Sequence, residues 1–349
     1  MKASFKKYTL QFKQPAGTSR GVYKTRDSWF LFLEENGVTG IGECAPLPGL
    51  SIEPHDQIEN QLTKICQAPA GFIGQPELLR EWPSILFAME TAWLDLENGG
   101  RRMLFESDFT AGKTGIPING LIWMGDPEYM KQQISAKLDA GFRCIKLKIG
   151  AIDFQTELEI LQSIRKTFSA AEITLRVDAN GAFSMKDAPE KLKRLAELDL
   201  HSIEQPVAAG RWAEMAELCA TSPLPVALDE ELIGITSPEI KMKLLQQINP
   251  AFVVLKPSLH GGISGCDEWI KLAEQNNTGW WITSSLESNI GLNAIAQWAA
   301  VKSLKMEQGL GTGQLFVNNF ESPLALEGEH LWYRAENPWN LKNLPHEPV

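Results

Sequence analysis

Apolar and polar positions alternate through residues 144–150, CIKLKIG, so on a strand Ile145, Leu147 and Ile149 point to one face and Lys146 and Lys148 to the other. A half-solvated antiparallel strand gives the same alternation, and the segment alone does not separate that reading from a functional pair. The neighbouring pattern does. Upstream, SWFLFLEE and VTGIGECAP read as strands joined through Asn36-Gly37, a dipeptide that favours a tight hairpin. SILFAMETAWLDLENGG then reads as a largely apolar helix stopped by Gly99-Gly100. Residues 1–116 are therefore expected to form a small α+β domain.

From 117 to 321 the texture changes to eight short apolar runs: IPINGLIW, RCIKLKIG, ITLRVDAN, LHSIEQPV, LPVALDEE, AFVVLKPS, GWWITSSLES and MEQGLGTG. Between them lie segments such as DPEYMKQQISAKLDAG and DFQTELEILQSIRKTFSA, with helical apolar spacing and polar outer faces. Strands alternating with helices mean parallel βα units. The predicted fold class is α/β: a (β/α)8-type barrel, or a modified barrel of seven units because the last runs are the least regular, behind an N-terminal α+β capping domain. A doubly wound open sheet would need a glycine-rich phosphate turn after its first strand, and INGLIWMGD is not one. KLKRLAELDL reads as the solvated face of a barrel helix. Residues 322–349, with Trp332, Tyr333 and Trp339, are expected to pack back on the cap.

Composition narrows the function. The 349 residues carry a net charge of −10, which disfavours binding to a phosphate backbone, so no nucleic acid partner is expected. The opening MKASFKKYTLQF lacks the apolar run of a signal peptide, and no stretch reaches about 18 apolar residues; a cytoplasmic protein without membrane contact is expected. Five scattered cysteines with no CxxC pair suggest neither a disulfide framework nor a thiolate zinc site. No HExxH or GxSxG motif is present, so metalloprotease and serine-hydrolase readings start weak.

Barrel enzymes hold their reacting groups at the C-terminal strand ends. Here strand two ends in Lys146 and Lys148, strand three in Asp178 and Asn180, strand four in Glu204, strand five in Asp229 and Glu230, and strand six in Lys256. From Asp178 to Glu204, Asp229 and Lys256 the steps are 26, 25 and 27 residues, one βα unit each. Singly, an acid at a strand end is a helix N-cap and a lysine reaches solvent. Three carboxylates converging on one barrel mouth repel one another and cost desolvation energy, a conflict that a divalent cation resolves. All-oxygen ligation by Asp178, Glu204 and Asp229 selects a hard ion, Mg²⁺ with Mn²⁺ as substitute. Lys148 and Lys256 lie on opposite sides of an eight-stranded ring, with a small carboxylate substrate between them. The reaction class is proton abstraction α to a carboxylate, followed by elimination, racemisation or cycloisomerisation.

KLK, VDAN, EQP, DE and LKP, in this order and spacing, resemble the motifs of the enolase superfamily in its muconate-lactonizing-enzyme subgroup. The resemblance implies that Lys148 is the acid/base and Lys146 its electrostatic neighbour. It makes Asp178, Glu204 and Asp229 the metal ligands and Lys256 the ammonium facing the substrate. KTRDSWFLFL, GIGECAPLPGLS, SSLESNIGL and GLGTGQLF further resemble the subgroup's dehydratases of menaquinone biosynthesis. That implies syn elimination of water from 2-succinyl-6-hydroxy-2,4-cyclohexadiene-1-carboxylate, under cap loops around residues 14–22 and 44–51. Dipeptide epimerases of the subgroup carry DxD where this chain has Gly311-Thr312-Gly313, which disfavours that activity. Gly311 and Gly313 suit close backbone approach to an anion, and Ser284 and Ser285 are candidate donors to a substrate carboxylate. N-succinylamino-acid racemisation and muconate cycloisomerisation are the alternatives; a non-catalytic barrel or a phosphate-binding barrel enzyme lies further off. Asn180 and Glu230 are expected to orient a ligand or a lysine, and the sequence leaves monomer and homo-oligomer both open.

Overall fold

The computed structural model describes residues 1–18 and 21–344. An antiparallel sheet of β1 (Lys2–Thr18), β2 (Gly21–Glu35) and β3 (Val38–Cys44) opens the chain. The β2–β3 turn is the predicted Asn36-Gly37 hairpin, both residues having positive φ (52° and 79°), as a two-residue turn between twisted strands requires. Helices α1 (Ile58–Gln67) and α2 (Pro83–Glu97) cover one face of this sheet, burying Leu31, Leu33, Ile58, Leu62, Ile85 and Met89 in one cluster. The sequence reading missed β1, whose KKYTLQFKQ stretch is too polar to announce a strand. Its pairing with β2 runs from Lys2↔Glu34 to Thr18↔Gly21. The segment 14–22, expected as a loop, is the far end of this two-stranded ribbon, and residues 19 and 20 lie outside the described residues.

The barrel follows. Strands β4 (Ile116–Pro117) and β5 (Gly120–Ile122) lead to α3 (Pro127–Asp139), β6 (Cys144–Lys148), α4 (Phe154–Thr167), β7 (Thr174–Asp178), α5 (Ala188–Ala196) and β8 (Ser202–Glu204). Next come α6 (Trp212–Thr221), β9 (Val226–Leu228), α7 (Pro238–Ile248), β10 (Phe252–Leu255), α8 (Gly262–Gln275), β11 (Gly279–Ile282) and α9 (Asn289–Ala300). Strands β5 to β11 form one seven-stranded parallel sheet in sequential order. The run MEQGLGTG forms no eighth strand. Gln308 and Gly309 instead make single bridges to Ile118 at one edge and Thr283 at the other, closing the ring as the seven-unit alternative anticipated. Backbone hydrogen bonds complete the closure, Gln308 N–H to Pro117 O at 2.8 Å and Gly309 N–H to Ile282 O at 2.8 Å.

Ile145, Leu147 and Ile149 pack outward under the helices in the main core, with Leu158, Leu161, Leu175 and Val177. Each such buried aliphatic side chain contributes roughly 1.5–3 kcal/mol. The alternation in CIKLKIG is thus that of a barrel strand, with the lysines turned to the interior. In the C-terminal segment, β12 (Leu324–Glu327) and β13 (His330–Tyr333) form a hairpin that pairs with β4. Beyond it, Trp339, Leu341 and Leu344 pack against Phe30, Phe32 and Ile41 of the first sheet.

Candidate active site

Parallel register gathers the strand ends. Lys148 stands beside Asp178 and Asp178 beside Glu204; Glu204 stands beside Ala227, which puts Asp229 just beyond the end of the next strand. Lys256 immediately follows β10. Two residues hold unusual backbone to make this possible, Asn180 at φ 44° and Gln205 at φ 40°. Asn180 N–H donates to Asp178 Oδ1 at 3.0 Å. Gln205 is fully buried and ties strand end to strand end: its Oε1 accepts from Asp229 N–H (3.1 Å) and Glu231 N–H (3.2 Å), and its Nε2 donates to Glu231 Oε2 (3.0 Å).

The charges interlock. Lys146 Nζ lies 3.0 Å from Asp178 Oδ2 and also donates to Glu204 Oε2. Lys148 Nζ donates to the same Asp178 Oδ2 at 3.0 Å and to Asn180 Oδ1 at 2.6 Å, and Asn180 Nδ2 donates to Glu230 Oε1 at 3.0 Å. Across the mouth, Lys256 Nζ pairs with Asp229 Oδ2. Lys146 is only 8% exposed, so burial alone would favour its neutral form; Asp178 and Glu204 outweigh it and raise its pKa. Lys256 is half-buried, which would lower its pKa, yet Asp229 and Glu204 hold it up at about 12. Burial and the nearby Asp178 charge push Glu204 up to about 8, whereas Asp178, against its own burial, is held low by Lys146 and Lys148. Burial and the adjacent Asp229 raise Glu230 to about 7.

As the side chains stand, among the described residues no three acidic, histidine or cysteine groups converge at metal-ligating distance, since each predicted ligand is turned to an ammonium. The donor chemistry nonetheless fits a hard cation. Glu204 Oε1, Asp229 Oδ1 and Glu230 Oε2 are buried with no hydrogen-bond partner. Orphaned carboxylate oxygens of this kind cost on the order of 1–3 kcal/mol each, more when charged, and are the hard donors that a divalent ion would take.

Above the charges lies a cavity. Part of its lining is apolar, with Leu47 and Leu50 from the cap, Leu121 in β5, Trp123 just after it, and Leu286 after β11. The rest is polar, with Asn119, Ser284, Ser285, Gly311 and Thr312 beside Lys146, Lys148, Asp178, Asn180, Glu230 and Lys256. Ser284 Oγ and Thr312 Oγ1 share a hydrogen bond of 2.6 Å, and Ser285 Oγ and Asn119 Oδ1 are buried without partners. The expected 44–51 segment thus contributes two side chains to the lining. Gly313, in contrast, does not line the cavity. A Cβ there would lie 2.7 Å from Asn289 Oδ1 and 3.0 Å from Leu292 Cδ2, so its missing side chain serves packing against α9. Sequence reasoning missed Asn119, Thr312, Leu286 and Trp123. Asn119 immediately precedes β5, so a test of C-terminal strand ends passes over it.

Fold and site together are those of a barrel enzyme. Residues 129–334 match the family model "Enolase C-terminal domain-like", and residues 1–96 match "MenC, N-terminal domain". The chain is 46% identical to the o-succinylbenzoate synthase of Desulfotalea psychrophila, over 94% of this chain and 98% of that protein. The crystal structure of MenC from the same organism superposes with a TM-score of 0.84 at 43% identity, covering 95% of this chain and 99% of that one. A dipeptide epimerase from Enterococcus faecalis, solved with Mg and L-Leu-L-Tyr, shares the fold at a TM-score of 0.83 and 20% identity, with 97% of each chain covered. The chain belongs to the enolase superfamily, in its MenC family of o-succinylbenzoate synthases.

Proposed function

We propose that this chain is the enzyme that dehydrates 2-succinyl-6-hydroxy-2,4-cyclohexadiene-1-carboxylate to o-succinylbenzoate in menaquinone biosynthesis. Its relation to the Desulfotalea synthase along nearly the whole chain carries the reading. The side chains of Lys148 and Lys256, both lining one cavity, support it. Asp178, Glu204 and Asp229 would hold Mg²⁺, or Mn²⁺ in its place, and Glu230 lies alongside. Bound there, the ion supplies positive charge to the substrate carboxylate, which makes the adjacent C–H more acidic.

Lys148, as the free amine, takes the proton from the ring carbon that bears the carboxylate, leaving an enediolate flanked by the Lys146 and Lys256 ammonium groups. The proton now on Lys148 passes to the ring hydroxyl on the same face. The C–O bond breaks, its electrons leave with water, and the ring becomes aromatic. Lys256 faces the ring with its ammonium, a cation–π partner that grows stronger as the aromatic product forms. Asn180 orients Lys148, and Ser284, Ser285 and Gly311 receive the distal carboxylate. The five cysteines are unpaired, which fits action in the reducing cytoplasm.

Product analysis tests this reading. With Mg²⁺ and the cyclohexadiene substrate, the purified protein is expected to yield o-succinylbenzoate, identified by its aromatic proton resonances. Opposed lysines also suit a one-carbon proton transfer, so racemisation of N-succinylamino acids is the second reading. α-Deuterium exchange on those compounds, without dehydration of the diene, would favour it.

A further inference from the structure

We propose that Arg26 is a positioning residue that sets the substrate pocket by holding one backbone carbonyl in the barrel turn that lines it and one at the start of the cap segment that lines it. Arg26 lies on β2 of the first sheet and is 3% exposed. One terminal nitrogen, Nη1, donates to the carbonyl of Ser285, in the turn after β11; the other, Nη2, donates to the carbonyl of Ala45, just after β3. Ser285 and its neighbours Ser284 and Leu286 line the cavity on the barrel side, and Leu47 and Leu50, a few residues beyond Ala45, line it on the cap side. A single planar guanidinium therefore spans the seam between these two segments. Its fork geometry serves two divergent acceptors in a way that a lysine ammonium does not.

The surroundings are built for this clamp. Leu286 has φ 63°, a left-handed backbone that costs a branched residue of the order of 1–3 kcal/mol and persists only where its neighbours fix it. They do so from both sides. Glu287, fully buried, accepts Ser285 N–H at 2.7 Å and the Ser258 hydroxyl at 2.6 Å, anchoring the turn to the loop that follows Lys256. Glu43, at the end of the cap sheet, accepts the Ser288 and Gly291 N–H groups at 3.0 and 2.9 Å at the start of α9. Arg26 sets a positive charge against these two buried carboxylates, and the pKa of Glu287, raised by burial, is drawn back down by it. On the cap side a second tie runs parallel, Tyr23 OH to Pro48 O at 2.9 Å. Arg26 touches no reacting atom, so its effect reaches the reaction through where Leu47, Leu50, Ser285 and Leu286 stand. This inference rests on the dehydratase reading for its kinetic consequence, but not for its structural one.

Two variants and two readouts test it. Arg26→Lys keeps the buried charge and loses the fork. Arg26→Met with Glu287→Gln removes opposite charges together, and stands in if the single variant does not fold. With Mg²⁺ and the cyclohexadiene carboxylate, either folded variant is expected to raise KM at least tenfold while kcat changes less than threefold. Hydrogen exchange in the Mg²⁺-loaded protein without substrate is expected to quicken at least tenfold in both 45–50 and 284–288, and to stay unchanged in β7 and β8. Unchanged KM, or loosening of only one segment, would overturn the clamp. If the wild-type protein fails to dehydrate the diene, the functional reading fails on its own, and the paired exchange of the two segments still decides the role of Arg26.

Discussion

Lys146 and Lys148, two residues apart on β6, direct their ammonium groups at one oxygen, Asp178 Oδ2, each from 3.0 Å. Two cations sharing one acceptor is an arrangement that a merely structural core would avoid, because each ammonium disfavours the other's charge. Lys146 is wedged between Asp178 and Glu204, which hold it as an ammonium, whereas Lys148 reaches past Asp178 to Asn180 at the cavity.

Lys148→Ala is therefore expected to lower kcat by at least about a thousandfold, the scale of general acid–base catalysis, with circular dichroism and Mg²⁺ affinity close to wild type. An unfolded variant with no metal binding would point instead to a structural role for the side chain.

Removing the cation should remove activity without unfolding the chain. Chelator is expected to abolish turnover, with Mg²⁺ or Mn²⁺ restoring it. Asp229→Asn, which weakens the donor whose Oδ1 is orphaned, should reduce Mg²⁺ affinity about a hundredfold by calorimetry. Equal affinity in wild type and variant would remove Asp229 from the ligand set.

A group remote from the site controls a pH effect on stability. Glu90 on α2 accepts Ile263 N–H (2.6 Å) and Ser264 N–H (3.2 Å) at the start of α8, and burial, only partly offset by those bonds, raises its pKa from 4.5 to about 7. The folded state therefore holds this proton more tightly than the unfolded state. Its contribution is fully present below about pH 4.5 and is lost as pH rises through about 7. Urea midpoints should fall between pH 5 and 8, and Glu90→Gln should flatten that slope; an equally steep slope in the variant would assign it to other groups.

Gly313→Ala separates packing from binding. The added methyl meets Asn289 Oδ1, which cannot swing away because Asn289 Nδ2 donates to Phe320 O at 2.6 Å. A loss of about 1–3 kcal/mol in unfolding free energy is expected, with KM unchanged in the folded fraction. A raised KM at unchanged stability would restore the anion-binding role first assigned to this glycine.

Much of the fold was legible because the barrel repeats one unit, and each repetition of an apolar strand before an amphipathic helix reinforces the others. The strand-end residues were legible for the same reason: equal spacing carried Asp178, Glu204, Asp229 and Lys256 to one rim. What escaped depends on contacts distant in sequence. Arg26 and Ser285 are 259 residues apart, and nothing local in KTRDSW marks the arginine as buried. β1 escaped because its polar positions face out along a ribbon, and the eighth strand was overread because Gln308 and Gly309 close the ring with single bridges only. The close packing of Gly313 against Asn289 and Leu292 escaped because a glycine's silence, unlike a charged side chain, says nothing of which neighbour needs the space.

The most direct test follows the diene absorbance of 2-succinyl-6-hydroxy-2,4-cyclohexadiene-1-carboxylate with purified protein and Mg²⁺, in the presence and absence of chelator. Rapid loss of absorbance that chelator abolishes is the predicted result. No loss of absorbance in folded protein shown by calorimetry to have bound Mg²⁺ would contradict the account.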